Sequence, residues 1–335
     1  MPIFRYERTM GDWVALAPER AARPHDVKAA NAAAPKEQRD HDPRCPFCVG
    51  NEAETSATID AELDPADPSR WLVRVFPNMY PVVTAGEAVA PSDTQRGLFH
   101  EIPGHGRHEV LVESPDHSRE LAEQPLEQVE RVLATLRRRA RVLAAEPGIE
   151  LVQIFKNQGS AAGSSLVHGH FQIVGMSVVP RQLRVKYQVA ADYYNEHGVS
   201  VYTDLTRAEL TAGVRVVGEN AEFVAFAPFA SRMPYETWIV PRTERSTFAA
   251  LASEALPELA RMLVDVLTRL SRALQDPPFN LVIFSAPRRH ADEPDFVWHI
   301  EILPRLATPA GLELATGLAI NPVLPEVAAQ VLRKA

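Results

Sequence analysis

Two cysteines in 335 residues are too few for a disulfide scaffold, so reduced thiols are expected. No stretch approaches the roughly 20 apolar residues that span a bilayer. The opening MPIFRYERTMGDW carries charges where a secretory signal would be apolar. A cytoplasmic location without membrane association is therefore expected. Basic residues are in deficit: 35 Lys+Arg against 43 Asp+Glu leave a net charge of −8, which argues against nucleic acid or an anionic membrane as partner. A small phosphorylated ligand in a locally positive pocket is still compatible with that balance. Glycine is sparse, at 16, and proline abundant, at 28, so the loops should be numerous and fixed. The length suggests about two domains.

Residues 24–43 and 84–106 lack apolar periodicity and read as exposed loops. Segments 71–76 and 108–113 read as strands, and 125–145 as an amphipathic helix. Its basic run, Arg137, Arg138, Arg139 and Arg141, reads as a solvated helix face. Strands follow at 150–156 and 170–175. The same order then returns, with a strand at 235–240, a helix at 256–274, and strands at 279–284 and 298–303. Glu236 lies 127 residues after Glu109 and His299 lies 129 after His170, which points to an internal duplication. The expected fold is α+β, two halves each with an antiparallel sheet and helices packed on one face. The boundary falls near 176–218, giving domains 1–178 and 196–335.

Cys45 and Cys48, in CPFC, have the spacing of a zinc knuckle, but CxxC is also compatible with redox chemistry or simple burial. No thioredoxin-like unit flanks the pair, and a metal would need two further ligands, histidines for preference. The run FKNQGSAAGSSLVHGHFQIVG at 155–175 is more specific. Gly159, Ser160, Gly163, Ser164 and Ser165 form a small polar turn whose amides can converge on phosphate oxygens. His168, His170 and Gln172 follow at strand alternation, which places them on one face. Two histidines hydrogen-bonded in a polar core would account for the pattern. So would a neutral imidazole that attacks phosphorus, with donors stabilising the phosphoryl oxygens.

At these residues the chain resembles the galactose-1-phosphate uridylyltransferase family of the histidine-triad superfamily. Similar segments run in order along the chain: GDWVALAPERAARP, CPFCVGNE, VFPNMYP, ESPDHS and the HGHFQ run. The resemblance implies that His170 is the nucleophile of a covalent nucleotidyl-histidine and that Gln172 hydrogen-bonds the transferring phosphoryl group. It implies a structural zinc held by Cys45, Cys48, His117 and His168, and no redox cofactor. Arg20 and Arg23 would reach substrate phosphates, Arg23 across the interface of a homodimer. Asn78 would contact the nucleoside, Asn157, Gly163 and Ser165 would line the phosphate path, and Glu313 would belong to a substrate-contacting tail.

The resemblance further implies ping-pong transfer of a nucleoside monophosphate from a nucleotide sugar to a hexose-1-phosphate, as in galactose metabolism. The second half departs from the pattern. VWHIEIL keeps His299 but has Glu301 where another histidine is found, so no second metal is expected. Met79 follows Asn78 where an aspartate stands in enterobacterial members. The segments DPPFNLVIFSAP, ETWIVP and GLELATGLAINPVLPE resemble the ADP-glucose phosphorylase branch, which takes inorganic phosphate as acceptor. A nucleotide-sugar hydrolase would share the same nucleophile.

Overall fold

The computed structural model describes residues 1–22, 39–86 and 98–335. Arg23, most of the 24–43 segment and the middle of the 84–106 segment lie outside the described residues. In chain order the elements are β1 (Ile3–Glu7), β2 (Asp12–Leu16), β3 (Asp60–Leu63), β4 (Trp71–Pro77), β5 (Gly106–Val112), α1 (Leu126–Ala145), β6 (Leu151–Gln158) and β7 (His170–Met176). Then follow α2 (Arg181–His197), α3 (Val201–Ala212), β8 (Val216–Glu219), β9 (Phe223–Phe226), β10 (Thr237–Pro241), α4 (Leu256–Leu274), β11 (Phe279–Phe284) and β12 (His299–Pro304). The chain closes with α5 (Gly311–Thr316), β13 (Ala319–Asn321) and α6 (Pro325–Lys334). No helix among the described residues is long and apolar enough to cross a membrane.

Ten strands form one sheet in the order β3-β4-β5-β7-β6-β11-β12-β10-β9-β8. The order reads the same from either edge toward the centre, with β6 matching β11, β7 matching β12 and β5 matching β10. The fold is thus α+β, and the two half-sheets join through antiparallel pairing of β6 with β11. A separate sheet, β1-β2-β13, packs a small cluster of Val14, Leu16 and Ala230.

Alternation decides which face each strand buries. On one face Leu111, Phe171, Ile154, Ile283, Ile300 and Ile239 form the main core. The stripes Val129, Val132, Leu133 and Leu136 of α1 and Leu259, Leu263, Val266 and Leu270 of α4 cover it. The other face carries the polar chemistry. Over the second half, α2 and α3 close that face with Tyr187, Ala190, Val201 and Tyr202 against Phe226 and Trp238.

Strand register corrects one detail of the duplication. Ile173 pairs with Glu109, whereas Ile302 pairs with Thr237. With His170 matched to His299, the counterpart of Glu109 is therefore Thr237. Glu236 occupies the position of His108, and Glu301 that of Gln172.

The basic run of α1 is only partly solvated: Arg141 is exposed, while Arg137, Arg138 and Arg139 are half-buried. Arg139 makes a bidentate pair with Glu109 of β5 at 2.6 and 2.9 Å, and Arg138 donates to Asp60 and Glu62 of β3. Arg137 and Arg141 donate to the carbonyls of Leu251 and Ala249. Carboxylates and carbonyls distant in sequence fold onto this face, and charge pattern alone does not reveal them.

One ion pair crosses beneath β7. Lys156 of β6 reaches Glu113, just past β5, at 2.9 Å, with both side chains 1% exposed. Burial pushes the Glu113 carboxyl up, and Lys156 opposes that shift. Lys156→Met leaves a buried carboxylate without its partner, which should cost about 3–5 kcal/mol in chemical denaturation. Replacing both members with apolar residues should recover most of that loss. A Lys156→Met chain as stable as the parent would contradict this reading.

Candidate active site and metal centre

The CPFC segment forms a turn, with the Cys48 amide donating to the Cys45 carbonyl at 3.2 Å. It lies against Phe76, Val110 and Val112 on the polar face of the first half. The metal-binding atoms of Cys45, Cys48, His117 and His168 all fall within 4.8 Å of one another. His168 Nδ1 is 3.7 Å from both sulfurs, and His117 Nδ1 is 3.4 Å from Cys48 Sγ. A tetrahedral site with zinc-type bond lengths requires S···N separations of about 3.6 Å. Nε2–H of His168 donates to the Ser114 carbonyl at 2.8 Å, which leaves the Nδ1 lone pair facing the thiols. Burial pushes the Cys45 thiol up to about 11, so a thiolate there requires a neighbouring cation. The donor set therefore fits a metal ion with no open coordination position.

The glycine between the two histidines has a steric cause. A Cβ on Gly169 would stand 2.1 Å from Glu113 Oε1, so the ion pair beneath β7 admits no side chain there. His170 then turns its Nδ1–H onto the His168 carbonyl at 2.8 Å. That bond fixes the tautomer and leaves a lone pair on Nε2, which among the described residues has no hydrogen-bond partner. Burial pushes the His170 imidazole down to about 4, so it is neutral at pH 7. Phe47 packs edge-on against it at 5.2 Å.

The other expected site residues are only partly gathered. Gln172 stands two residues along the same face, with its Oε1 2.8 Å from His108 Nε2. Asn78 follows β4 directly, and its Nδ2 lies 3.2 Å from the same nitrogen. Asn157 is on β6, where its Oδ1 accepts from Asn280 of β11 at 2.9 Å. Gly163 closes the polar turn in a left-handed conformation, φ 89°, and Ser165 is exposed.

Contrary to expectation, the amides of Ala162, Gly163 and Ser164 are taken by the turn's own carbonyls and are not left for phosphate. Arg20 is exposed in the turn after β2, on the small sheet. Glu313 accepts from the Ala310 amide at 2.9 Å and so caps its own helix.

The second half repeats the construction and blocks it. His299 Nδ1–H donates to the Val297 carbonyl at 2.9 Å, as His170 does to His168. Its Nε2, however, accepts from Lys186 Nζ at 3.0 Å. Lys186 is also 2.5 Å from Glu301, and Arg232 pairs with Glu301 and Glu236. Phe284 stacks on the His299 ring. Lys186, Arg232 and His108 were not singled out from sequence, because only the packing of α2, the loop before β10 and the pairing of β5 with β7 bring them to these sites.

The class this architecture defines is an α+β protein of two similar halves that carries, among its described residues, a buried Cys₂His₂ cluster beside the open Nε2 of His170. The profile of the family "Galactose-1-phosphate uridyl transferase, N-terminal domain" matches residues 2–180. ADP-glucose phosphorylase of Arabidopsis thaliana is 32% identical over 335 residues, covering 99% of this chain and 93% of the relative. Galactose-1-phosphate uridylyltransferase of Thermotoga maritima is 30% identical over 298 residues, covering 87% and 89%. The crystal structure of the Arabidopsis ADP-glucose phosphorylase with bound ADP-glucose aligns with a TM-score of 0.84 and 31% identity, over 100% of this chain and 99% of that one. The chain belongs to the galactose-1-phosphate uridyl transferase family.

Removing the metal should loosen the strand that presents His170. Purified protein should carry about one divalent ion per chain, and chelation or Cys45→Ser should lower the melting temperature by about 10 °C or more. Complete metal loss with unchanged melting would contradict a structural role.

Proposed function

We propose that this chain transfers a nucleoside monophosphate from a nucleotide sugar to a hexose-1-phosphate through a covalent nucleotidyl-His170. Membership of the family makes it a nucleotidyltransferase. The observation that carries the residue assignment is the open Nε2 of His170 beside a tautomer locked by the His168 carbonyl.

Nε2 attacks the α-phosphorus, a P–N bond forms, and the P–O bond to the departing sugar-1-phosphate breaks. Nδ1–H stays in place throughout, and its carbonyl partner stabilises the positive charge that the ring acquires. The acceptor's phosphate oxygen then attacks the same phosphorus and the P–N bond breaks. Gln172 and Asn78 supply donors near this point, and Asn157 and Ser165 line the approach.

Cys45, Cys48, His117 and His168 would hold zinc, whose contribution is to anchor His168 and hence the carbonyl that orients His170. The same reading includes a cytoplasmic homodimer, with Arg20 and Arg23 directed to phosphates and Glu313 in the substrate-contacting tail. Phe4, Tyr6 and Trp13, together on one exposed face of β1 and β2, supply apolar surface for such a dimer.

A second acceptor, inorganic phosphate, is favoured by the similarity to ADP-glucose phosphorylase, which extends over 99% of this chain. Both acceptors present the same kind of oxygen to the intermediate, so the pocket decides between them.

Wild-type protein mixed with a nucleotide sugar should gain the mass of one nucleotidyl group. His170→Ala should gain none and lose turnover by about 10³-fold or more while keeping its melting temperature. Substantial turnover by that variant would sink the assignment. Chasing the loaded protein with hexose-1-phosphate should release nucleotide sugar. Release of nucleoside diphosphate with phosphate alone would establish the second acceptor, and equal release of monophosphate in plain buffer would indicate a hydrolase.

A further inference from the structure

A glutamine amide has two opposite ends, and only its NH₂ end can donate to a phosphoryl oxygen. The two ends are nearly the same size, so packing alone sets their orientation weakly. At Gln172 a neighbouring imidazole sets it. The Val82 amide donates to His108 Nδ1 at 3.3 Å, which makes Nδ1 an acceptor and puts the ring proton on Nε2. That nitrogen stands 2.8 Å from Gln172 Oε1. With its oxygen held, Gln172 turns its NH₂ away from His108, and among the described residues that group has no acceptor.

Asn78 offers the imidazole proton no competing acceptor. Its Oδ1 accepts from the Tyr80 amide at 2.8 Å, so its NH₂ meets His108 Nε2–H as one donor beside another. It therefore does not compete for the imidazole proton. The backbone ties the same residues together, with the Asn78 amide donating to the His108 carbonyl at 2.8 Å.

We propose that His108 is a positioning residue that locks the Gln172 amide with its NH₂ toward the transferring phosphoryl group. This rests on the nucleotidyl-transfer reading of His170. The second half gives independent support. Where the imidazole is blocked, both members of the pair are replaced: Glu236 stands at the His108 position and Glu301 at that of Gln172. Glu236 there serves Arg232 and the Trp238 indole. A general packing role for His108 gives no reason for the two positions to change together.

The test is a double-mutant cycle on the full chain, read by the rate of nucleotidyl loading in a single turnover. His108→Ala should slow loading about tenfold, the size of one oriented hydrogen bond, with binding of the nucleotide sugar nearly unchanged. His108→Gln places an amide N–H where the imidazole N–H stood and should recover most of the rate. In a Gln172→Ala background, removing His108 should slow loading no further. Independent, multiplicative losses, or wild-type loading by His108→Ala, would overturn the proposal.

Imidazole ¹⁵N shifts of the wild type supply a readout independent of turnover. The Nε2–H tautomer is expected at His108, and the Nδ1–H tautomer would reverse the amide and overturn the assignment. A wild type that shows the expected tautomer but never loads would refute the nucleotidyl-transfer reading instead.

Discussion

The site depends on one carbonyl, that of His168. It accepts the Nδ1–H of His170, and that single hydrogen bond decides which imidazole nitrogen keeps a lone pair. The carbonyl is itself held in place. His168 is clamped by the Ser114 carbonyl on one side and faces the two thiols on the other. Beneath it, the Lys156–Glu113 pair leaves room only for glycine at position 169. The Cys₂His₂ cluster, the buried ion pair and the strand therefore act on one bond. The Nε2 of His170 is thus oriented from behind the ring, by the His168 carbonyl.

The second half serves as an internal comparison. It keeps the hydrogen bond from His299 to the carbonyl two residues back, and burial likewise pushes that ring down to about 4. The difference lies at Nε2, where a buried ammonium occupies the space a phosphorus atom would need. Burial alone would raise the Glu301 carboxyl, yet Arg232 and Lys186 pull it well below its ordinary value. The network is charged and is covered by α2. The two halves thus carry one open imidazole and one sealed one on the same continuous sheet, and the sealed one takes part in internal ion pairing.

Much of this was legible in the sequence, for reasons that can be named. The stripes of α1 and α4 and the alternation of β5, β7 and β12 are strong periodic signals, and their boundaries fall within a few residues of expectation. The four candidate metal ligands meet as the family resemblance implied. What stayed hidden depends on register and packing. The arginines of α1 looked solvated because their partners, Asp60, Glu62 and Glu109, come from other strands. His108 looked like one polar residue in an alternating strand until β5 paired with β7. Lys186 falls in the 176–218 stretch that reads only as a domain boundary, yet it is 1% exposed on α2. A one-residue difference in register also moved the match of Glu236 from Glu109 to His108.

The central claim is that Nε2 of His170 is the atom that bonds phosphorus. Protein labelled with ¹⁵N at histidine and loaded from a nucleotide sugar can be examined by ³¹P–¹⁵N coupling. The account predicts one phosphorus bonded to one imidazole nitrogen, assigned to Nε2 of His170, with Nδ1 still protonated. Phosphorus on Nδ1, on His299 or on any other residue would contradict it.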